Sequence, residues 1–280
     1  MTVRVYAEGV AVRTRIGIRQ LVLAAVFGLV ASTVAAQTPV APFEPKVGQA
    51  GKDVVWVPTP QELVERMLDI AKVTPDDYLI DLGSGDGRTV ITAAGRGLRA
   101  HGIEYNPDMV KLAQDAARRA GVADRATFEQ ADLFTRLDEL RKADVITMFL
   151  LSSINLRLRP DLLELEPGTR IVSNTFRMAD WEPDVESRVE GDCSSWCEAL
   201  LWIVPARVDG TWQLGNERLQ LKQTFQRFSG NLGGREFEGG RLEGASIRFT
   251  VGGTEYRGTV EGNTMTGTTA SGGMWTATKQ

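Results

Sequence analysis

The chain has 280 residues, enough for one large domain or a medium domain with a small companion, and its apolar share of 42% is that of a folded globular protein. A formal net charge of -4 leaves no basic footprint of the kind that phosphate backbones require, so nucleic acid is set aside as a partner. One histidine, His101, excludes His-based triads and multi-histidine metal sites, and two cysteines fall short of the four ligands of a structural zinc; no metal is expected.

At the N-terminus, Arg4, Arg13, Arg15 and Arg19 precede an uninterrupted apolar and small-residue run from Leu21 to Val30, followed by the small residues of Ala31 to Ala36. This reads as an export signal over residues 1–36, cleaved after Ala36. The run is short for a spanning helix, which needs about 20 residues, and even an uncleaved anchor would leave the folded part outside the inner membrane. The expected location is the periplasm or envelope, or the cytoplasm if the segment is no signal. The Pro-, Ala- and Gly-rich stretch from Gln37 to Lys52 shows no apolar periodicity and reads as a linker that reaches to residue 55.

From Pro60 a helical pattern sets in, with Leu63, Met67, Leu68 and Ala71 recurring at steps of three and four. Strand and helix signals then alternate. Strands are expected at 78–81, 100–105, 127–133, 144–151 and 170–174; helices start at Arg88 and Pro107 and surround 156–165. Such alternation implies a parallel sheet covered by helices on both faces, with ligands beyond the carboxyl ends of the strands. After the run Leu200 to Pro205 the pattern changes. Ala245, Ile247, Phe249 and Val251 alternate with polar residues, and Gly252-Gly253 and Gly262-Asn263 are hairpin turns, so a small antiparallel β domain is expected over 208–280. Cys193 and Cys197 can close a disulfide only where a turn or helix brings their Cα atoms within about 7 Å; an extended strand would not.

The chemistry concentrates at Asp81 to Arg88, DLGSGDGR, directly behind the first strand. Glycines there give a ligand access to backbone, because a Cβ would collide with it. A dinucleotide turn requires G-x-G-x-x-G, and Arg88 stands where its third glycine would be. Asp81 at the strand tip would repel a pyrophosphate but attracts an ammonium group. S-adenosylmethionine carries an ammonium, a ribose diol and an adenine, and no phosphate. Acids follow in the matching order: Asp81 after strand one, Glu104 after strand two for the ribose hydroxyls, and Asp132 after strand three for the adenine amino group. Asp86 either faces this donor or caps the next helix.

Val57-Pro58-Thr59-Pro60, Asp81 to Arg88, Gly102 to Pro107, Asp132-Leu133-Phe134 and Asp144 to Leu151 with Asn155 together resemble class I S-adenosylmethionine-dependent methyltransferases. The resemblance is to one subgroup, the small seven-strand lysine methyltransferases of the mitochondrial ATP synthase c-subunit and adenine nucleotide translocase type, with their bacterial relatives. It implies an α/β fold with a seven-strand Rossmann-like sheet over 56–207, S-adenosylmethionine as methyl donor, and N-methylation of a lysine in a protein at or near a membrane. By it, Thr59, Asp81, Gly83, Gly85, Glu104, Asn106, Asp132 and Leu133 contact the donor. Trp56 stands where the family has Tyr, and Phe149-Leu150-Leu151-Ser152 where it has Tyr-Leu-Leu-Pro; both changes fall on the acceptor side. There Phe149 to Leu151 are expected to form an apolar wall for the acceptor amine, with Asn155 accepting an amine hydrogen and Asn174, Phe176 and Trp181 as further candidates. A small-molecule acceptor, or a non-catalytic envelope binding module that keeps the fold, are the alternatives.

Overall fold

The computed structural model describes Gly9, residues 43–190 and residues 193–280, so the expected export signal lies outside the described residues. Seven strands form the first sheet: β1 (Tyr78–Leu82), β2 (Arg99–Glu104), β3 (Ala126–Gln130), β4 (Val145–Met148), β5 (Arg170–Asn174), β6 (Val185–Arg188) and β7 (Glu198–Ile203). Their spatial order is β3-β2-β1-β4-β5-β7-β6, with β1 to β5 parallel and β7 antiparallel to β5. The order reverses between β1 and β4, which opens a crevice at their carboxyl ends.

Period-two alternation explains how both faces are covered. Leu79, Val145, Val172 and Leu201 point to one side and pack against α1 (Gln61–Ile70), α2 (Arg88–Gly95) and α3 (Pro107–Arg119). Their neighbours Ile80, Ile146, Ile171 and Leu200 point to the other side, against Leu158 and Leu162 of α4 (Ser152–Leu162). Strands apolar on both faces belong to a sheet buried between helices. Asp144 accepts the Tyr78 N–H at 2.8 Å and returns its own N–H to the Tyr78 carbonyl, which fixes the register of β1 and β4 at the end remote from the crevice.

Two strands are shorter than expected. β4 ends at Met148 and α4 begins at Ser152, so the apolar run Phe149 to Leu151 is a connection rather than strand. Its hydropathy reads as strand because it is sheltered, yet it is sheltered by a cleft. β3 likewise ends at Gln130, and Asp132 caps a short 3-10 turn, Leu133–Thr135, by accepting the Phe134 N–H at 3.0 Å.

The C-terminal β domain is a closed barrel: β8 (Gly210–Leu214), β9 (Glu217–Thr224), β10 (Arg227–Leu232), β11 (Arg235–Glu243), β12 (Ser246–Val251), β13 (Thr254–Glu261), β14 (Thr264–Thr269) and β15 (Met274–Lys279), with β15 returning to β8. Every neighbouring pair is antiparallel, and the two expected glycine turns join β12 to β13 and β13 to β14. Closure removes the exposed edges of a sheet of this size. Trp212, Phe228, Phe237, Phe249, Met265 and Trp275 fill the interior, leaving a packed core instead of a channel. At Gly258 a Cβ would run into the Thr266 carbonyl and sit 2.7 Å from Trp275 Cζ2, so only glycine fits there.

The barrel is fastened to the first sheet. Gln226, buried, donates to the Glu182 carbonyl at 2.7 Å, Arg241 pairs with Asp184 at 2.7 Å, and Phe225 stacks on Trp181 at 5.8 Å. Trp181 therefore belongs to this seam: it is fully buried, and its carbonyl accepts the Trp202 indole N–H at 2.7 Å. The expectation that it serves an acceptor site does not hold, because its ring is consumed by packing.

Candidate functional site

A cleft of about 410 Å³ lies at the carboxyl ends of β1, β2 and β4, within the range of small-molecule sites. Its floor is the DLGSGDGR turn. Gly83, Gly85 and Gly87 adopt φ of 73°, 54° and 81°, a left-handed region that costs other residues about 1–2 kcal/mol. They serve different ends. A Cβ on Gly85 would lie 2.7 Å from Trp56 Nε1 on the cleft side, whereas one on Gly87 would strike Ala113 of α3 and the Phe128 ring of β3, so Gly87 lets the start of α2 approach both.

The three acids converge on this cleft. Asp81 is 6% exposed and accepts the Thr147 hydroxyl at 2.7 Å. Burial, which this bond only partly offsets, and the nearby Glu104 and Asp86 push its pKa up to about 7. Glu104 accepts the Gly85 N–H on one oxygen and the Asn106 N–H on the other, each at 2.9 Å. These bonds lock the end of β2 to the glycine turn and orient the carboxylate. Asp132 pairs with Lys52, whose ammonium holds its carboxyl below the usual carboxylate range. Asp86 forms a close pair with Arg88, 2.6 Å at Nη2, and Arg88 also donates to the Thr59 carbonyl at 2.8 Å. Thr59 and Leu133 line the cleft. Asn106 lines it too, but its Oδ1 caps α3 by accepting the Asp108 N–H at 2.9 Å.

Residues expected to be linker take part in the site. Ala50 and Val55 form an antiparallel bridge, and the Gly48 and Trp56 N–H groups donate to the Trp56 and Gln49 carbonyls at 2.8 and 2.9 Å. This small hairpin lines the cleft from Gln49 to Thr59, with Lys52 on Asp132 and over the Tyr105 ring. A stretch without apolar periodicity gave no sign of it, since its order comes from backbone bonds and from the surface it covers.

On the acceptor side, Phe149 and Leu151 line the cleft. Phe149 stacks on Phe176 at 5.9 Å. Asn155 and Asn174 do not reach it: both are fully buried. Asn155 Nδ2 donates to the Phe176 carbonyl at 2.9 Å, and Asn174 Nδ2 donates to Thr59 Oγ1 at 3.4 Å. Asn155 thereby positions the loop after β5, while its Oδ1, the atom expected to take a hydrogen from the acceptor, is buried without a hydrogen-bond partner among the described residues. On this side the cleft also gains Trp196, which sequence reasoning missed and whose ring meets Phe149 edge-on at 6.0 Å.

Cys193 and Cys197 flank it and form a disulfide across a tight turn, with a Cα separation of 5.8 Å. The loop reaches the cleft because β7 runs antiparallel to β5 and so begins where β5 ends, with Ala199 paired to Asn174.

A model of the ANTKMT methyltransferase domain matches residues 81–185. A protein-lysine N-methyltransferase of Saccharolobus islandicus is 43% identical over 49% of this chain and 86% of its own length. The adenine nucleotide translocase lysine N-methyltransferase of Mus musculus is 38% identical over 46% of this chain and 56% of its own. Among solved structures, an RNA methyltransferase from Salinibacter ruber in complex with S-adenosyl-L-homocysteine is 46% identical, with a TM-score of 0.50 over 54% of this chain and 96% of that one. The chain spans about half the length of the mouse relatives it matches.

A cleft with no phosphate-binding turn, a buried acid at β1, an oriented carboxylate at β2 and a third acid after β3 fits a donor that carries an ammonium, a diol and an aromatic amine. Sequence and fold agree: the chain belongs to the class I S-adenosylmethionine-dependent methyltransferases, in the family of the Saccharolobus protein-lysine N-methyltransferase.

Proposed function

We propose that this methyltransferase acts on the side-chain amine of a lysine in a protein, and that it does so in an oxidising compartment outside the inner membrane. The observation that carries the acceptor reading is the aromatic wall of Phe149 and Phe176 at the mouth of the acid-lined cleft. The relatives named as lysine methyltransferases support it. The disulfide supports the compartment, since such bonds persist where thiols are oxidised, and so does the positively flanked apolar run before Ala36. Among the described residues no helix is long and apolar enough to cross a membrane.

S-adenosylmethionine supplies a methyl group on a sulfonium, which is transferred in line to the nitrogen lone pair as the carbon–sulfur bond breaks. Asp81 would hold the donor's ammonium, Glu104 its ribose hydroxyls and Asp132, which pairs with Lys52, its adenine amino group. Thr59 and the hairpin from Gln49 to Trp56 keep water from the donor's exposed side. The lysine must first lose a proton. At pH 7 that costs about 4–5 kcal/mol for a solvated lysine amine, which titrates near 10.4, and the positive sulfonium of the donor would lower the cost by disfavouring a second cation beside it. Asn155 acts through Phe176, whose carbonyl it holds.

Incubating the enzyme with labelled donor and envelope proteins, then mapping the label by mass spectrometry, tests the reading. Label on lysine is expected. Label only in extractable small molecules, or in RNA as the name of the Salinibacter relative would have it, would replace lysine as the acceptor.

A further inference from the structure

We infer that the Cys193–Cys197 disulfide is a positioning device for the acceptor, and that Trp196, which it presents, completes a three-ring collar with Phe149 and Phe176 through which the acceptor ammonium enters. The inference rests on the amine-acceptor reading above and names the residues that select for it.

Three observations converge. The first is the placement of the rings: Phe149 stacks on Phe176 with an interplanar angle of 28° and meets Trp196 edge-on at 62°, and all three line the cleft. Trp196 is 43% exposed and Leu151, beside it on the rim, also 43%. Large apolar side chains grouped at a cleft mouth mark a surface that receives something. Aromatic faces attract ammonium groups, and unlike a carboxylate they hold a methylated amine as well as an unmethylated one.

The second is the backbone. Trp196 has φ 54° and Thr175, the residue before Phe176, has φ 60°. Left-handed conformations of a Trp and a β-branched Thr are unfavourable and persist where the surroundings impose them, most often at functional sites. The disulfide, closed across a turn that contains Trp196, imposes the first. The second is held by the Thr175 N–H on the Glu198 carbonyl at 2.8 Å and by the Glu198 N–H on Thr175 Oγ1 at 3.4 Å. Those two bonds also tie the Phe176 loop to the segment that follows Cys197. Two of the three rings thus stand on strained backbone, and their supports are joined.

The third is the topology. The loop before β7 overhangs the carboxyl ends of β4 and β5, next to the connection that carries Phe149, on the opposite side of the cleft from Asp132 and Lys52. Its place is at the acceptor end, so its loss should leave the donor acids untouched.

The experiment uses the full chain with Trp196→Ala, Trp196→Phe and the double variant Cys193→Ser/Cys197→Ser. Affinity for S-adenosylhomocysteine is read by calorimetry, and acceptor kinetics with a lysine peptide. Binding of free Nε-trimethyllysine is read from the Trp196 indole resonance of nitrogen-15 labelled protein, identified by its disappearance in Trp196→Phe. Expected are an acceptor KM raised about ten-fold in Trp196→Ala and in the double serine variant, partial rescue by Phe, an unchanged donor-product affinity, and an indole shift that the serine variant abolishes. An unchanged acceptor KM, a fall in S-adenosylhomocysteine affinity that parallels the loss of activity, or an indole resonance indifferent to trimethyllysine would overturn the proposal. An indole shift without transfer to any lysine peptide would uphold the collar and sink the lysine substrate, so the two failures are separable.

Discussion

Thr147 on β4 donates a 2.7 Å hydrogen bond to Asp81 on β1, and this bond only partly offsets the burial that pushes the Asp81 pKa up to about 7. Donor binding should therefore depend on pH. Only ionised Asp81 attracts an ammonium, so affinity for S-adenosylhomocysteine should be level above pH 7 and fall up to about ten-fold per unit below it. Binding at pH 6.5 should release a proton, detectable by calorimetry in buffers of different ionisation enthalpy, and Asp81→Asn should abolish both effects.

Stability of the free protein should follow the same group in the opposite sense. Its folded pKa of about 7 lies above the unfolded value of 3.8, so the folded state binds the extra proton and Asp81 contributes stability that is lost as pH rises between those values. The slope is at most about 1.4 kcal/mol per pH unit. Comparing denaturant midpoints of wild type and Asp81→Asn at pH 5 and 7 should show the variant gaining on the wild type at the higher pH.

Gly85→Ala should damage donor binding more than its size implies. The left-handed φ of 54° costs about 1–2 kcal/mol, and the added methyl meets Trp56 Nε1 at 2.7 Å, displacing the hairpin that covers the cleft. Adding Trp56→Ala should relieve the clash without restoring the backbone cost, so a thermal melt of the double variant should fall between wild type and Gly85→Ala.

At the barrel seam, Arg241→Ala removes the partner of Asp184, whose side chain is 5% exposed and whose remaining bond comes from the Ile203 N–H at 2.9 Å. Leaving that carboxylate without its cation should cost about 2–4 kcal/mol in urea unfolding, while affinity for S-adenosylhomocysteine stays as it was, because the seam lies away from the cleft.

How far the site was legible in sequence depended on whether chemistry or topology placed a residue. Asp81, Glu104 and Asp132 were readable because a phosphate-free donor demands acids and because each follows a strand with a clear apolar signal. Phe149 and Trp181 looked alike, since hydropathy does not distinguish a ring on a cleft wall from one stacked on Phe225. Asn155 and Asn174 sit at the right depth in the sequence but are turned inward by α4 and by the end of β5. Trp196 and the hairpin of Gln49 to Trp56 gave no signal: the first arrives through the antiparallel return of β7, the second through backbone bonds alone. The barrel was visible as alternation and paired glycine turns, whereas its closure depends on β15 meeting β8, a pairing across most of the domain that no local pattern encodes.

The most direct test of the account is calorimetric titration of S-adenosylhomocysteine into wild type, Asp81→Ala and Glu104→Ala at pH 7.5. Glu104 orients itself through the Gly85 and Asn106 N–H groups, and Asp81 is the acid buried at the turn. One site per chain is expected in the wild type, with affinity reduced about ten- to a thousand-fold in each variant. Wild-type affinity retained in both variants, or no binding by the wild type, would contradict the assignment of this cleft to the methyl donor.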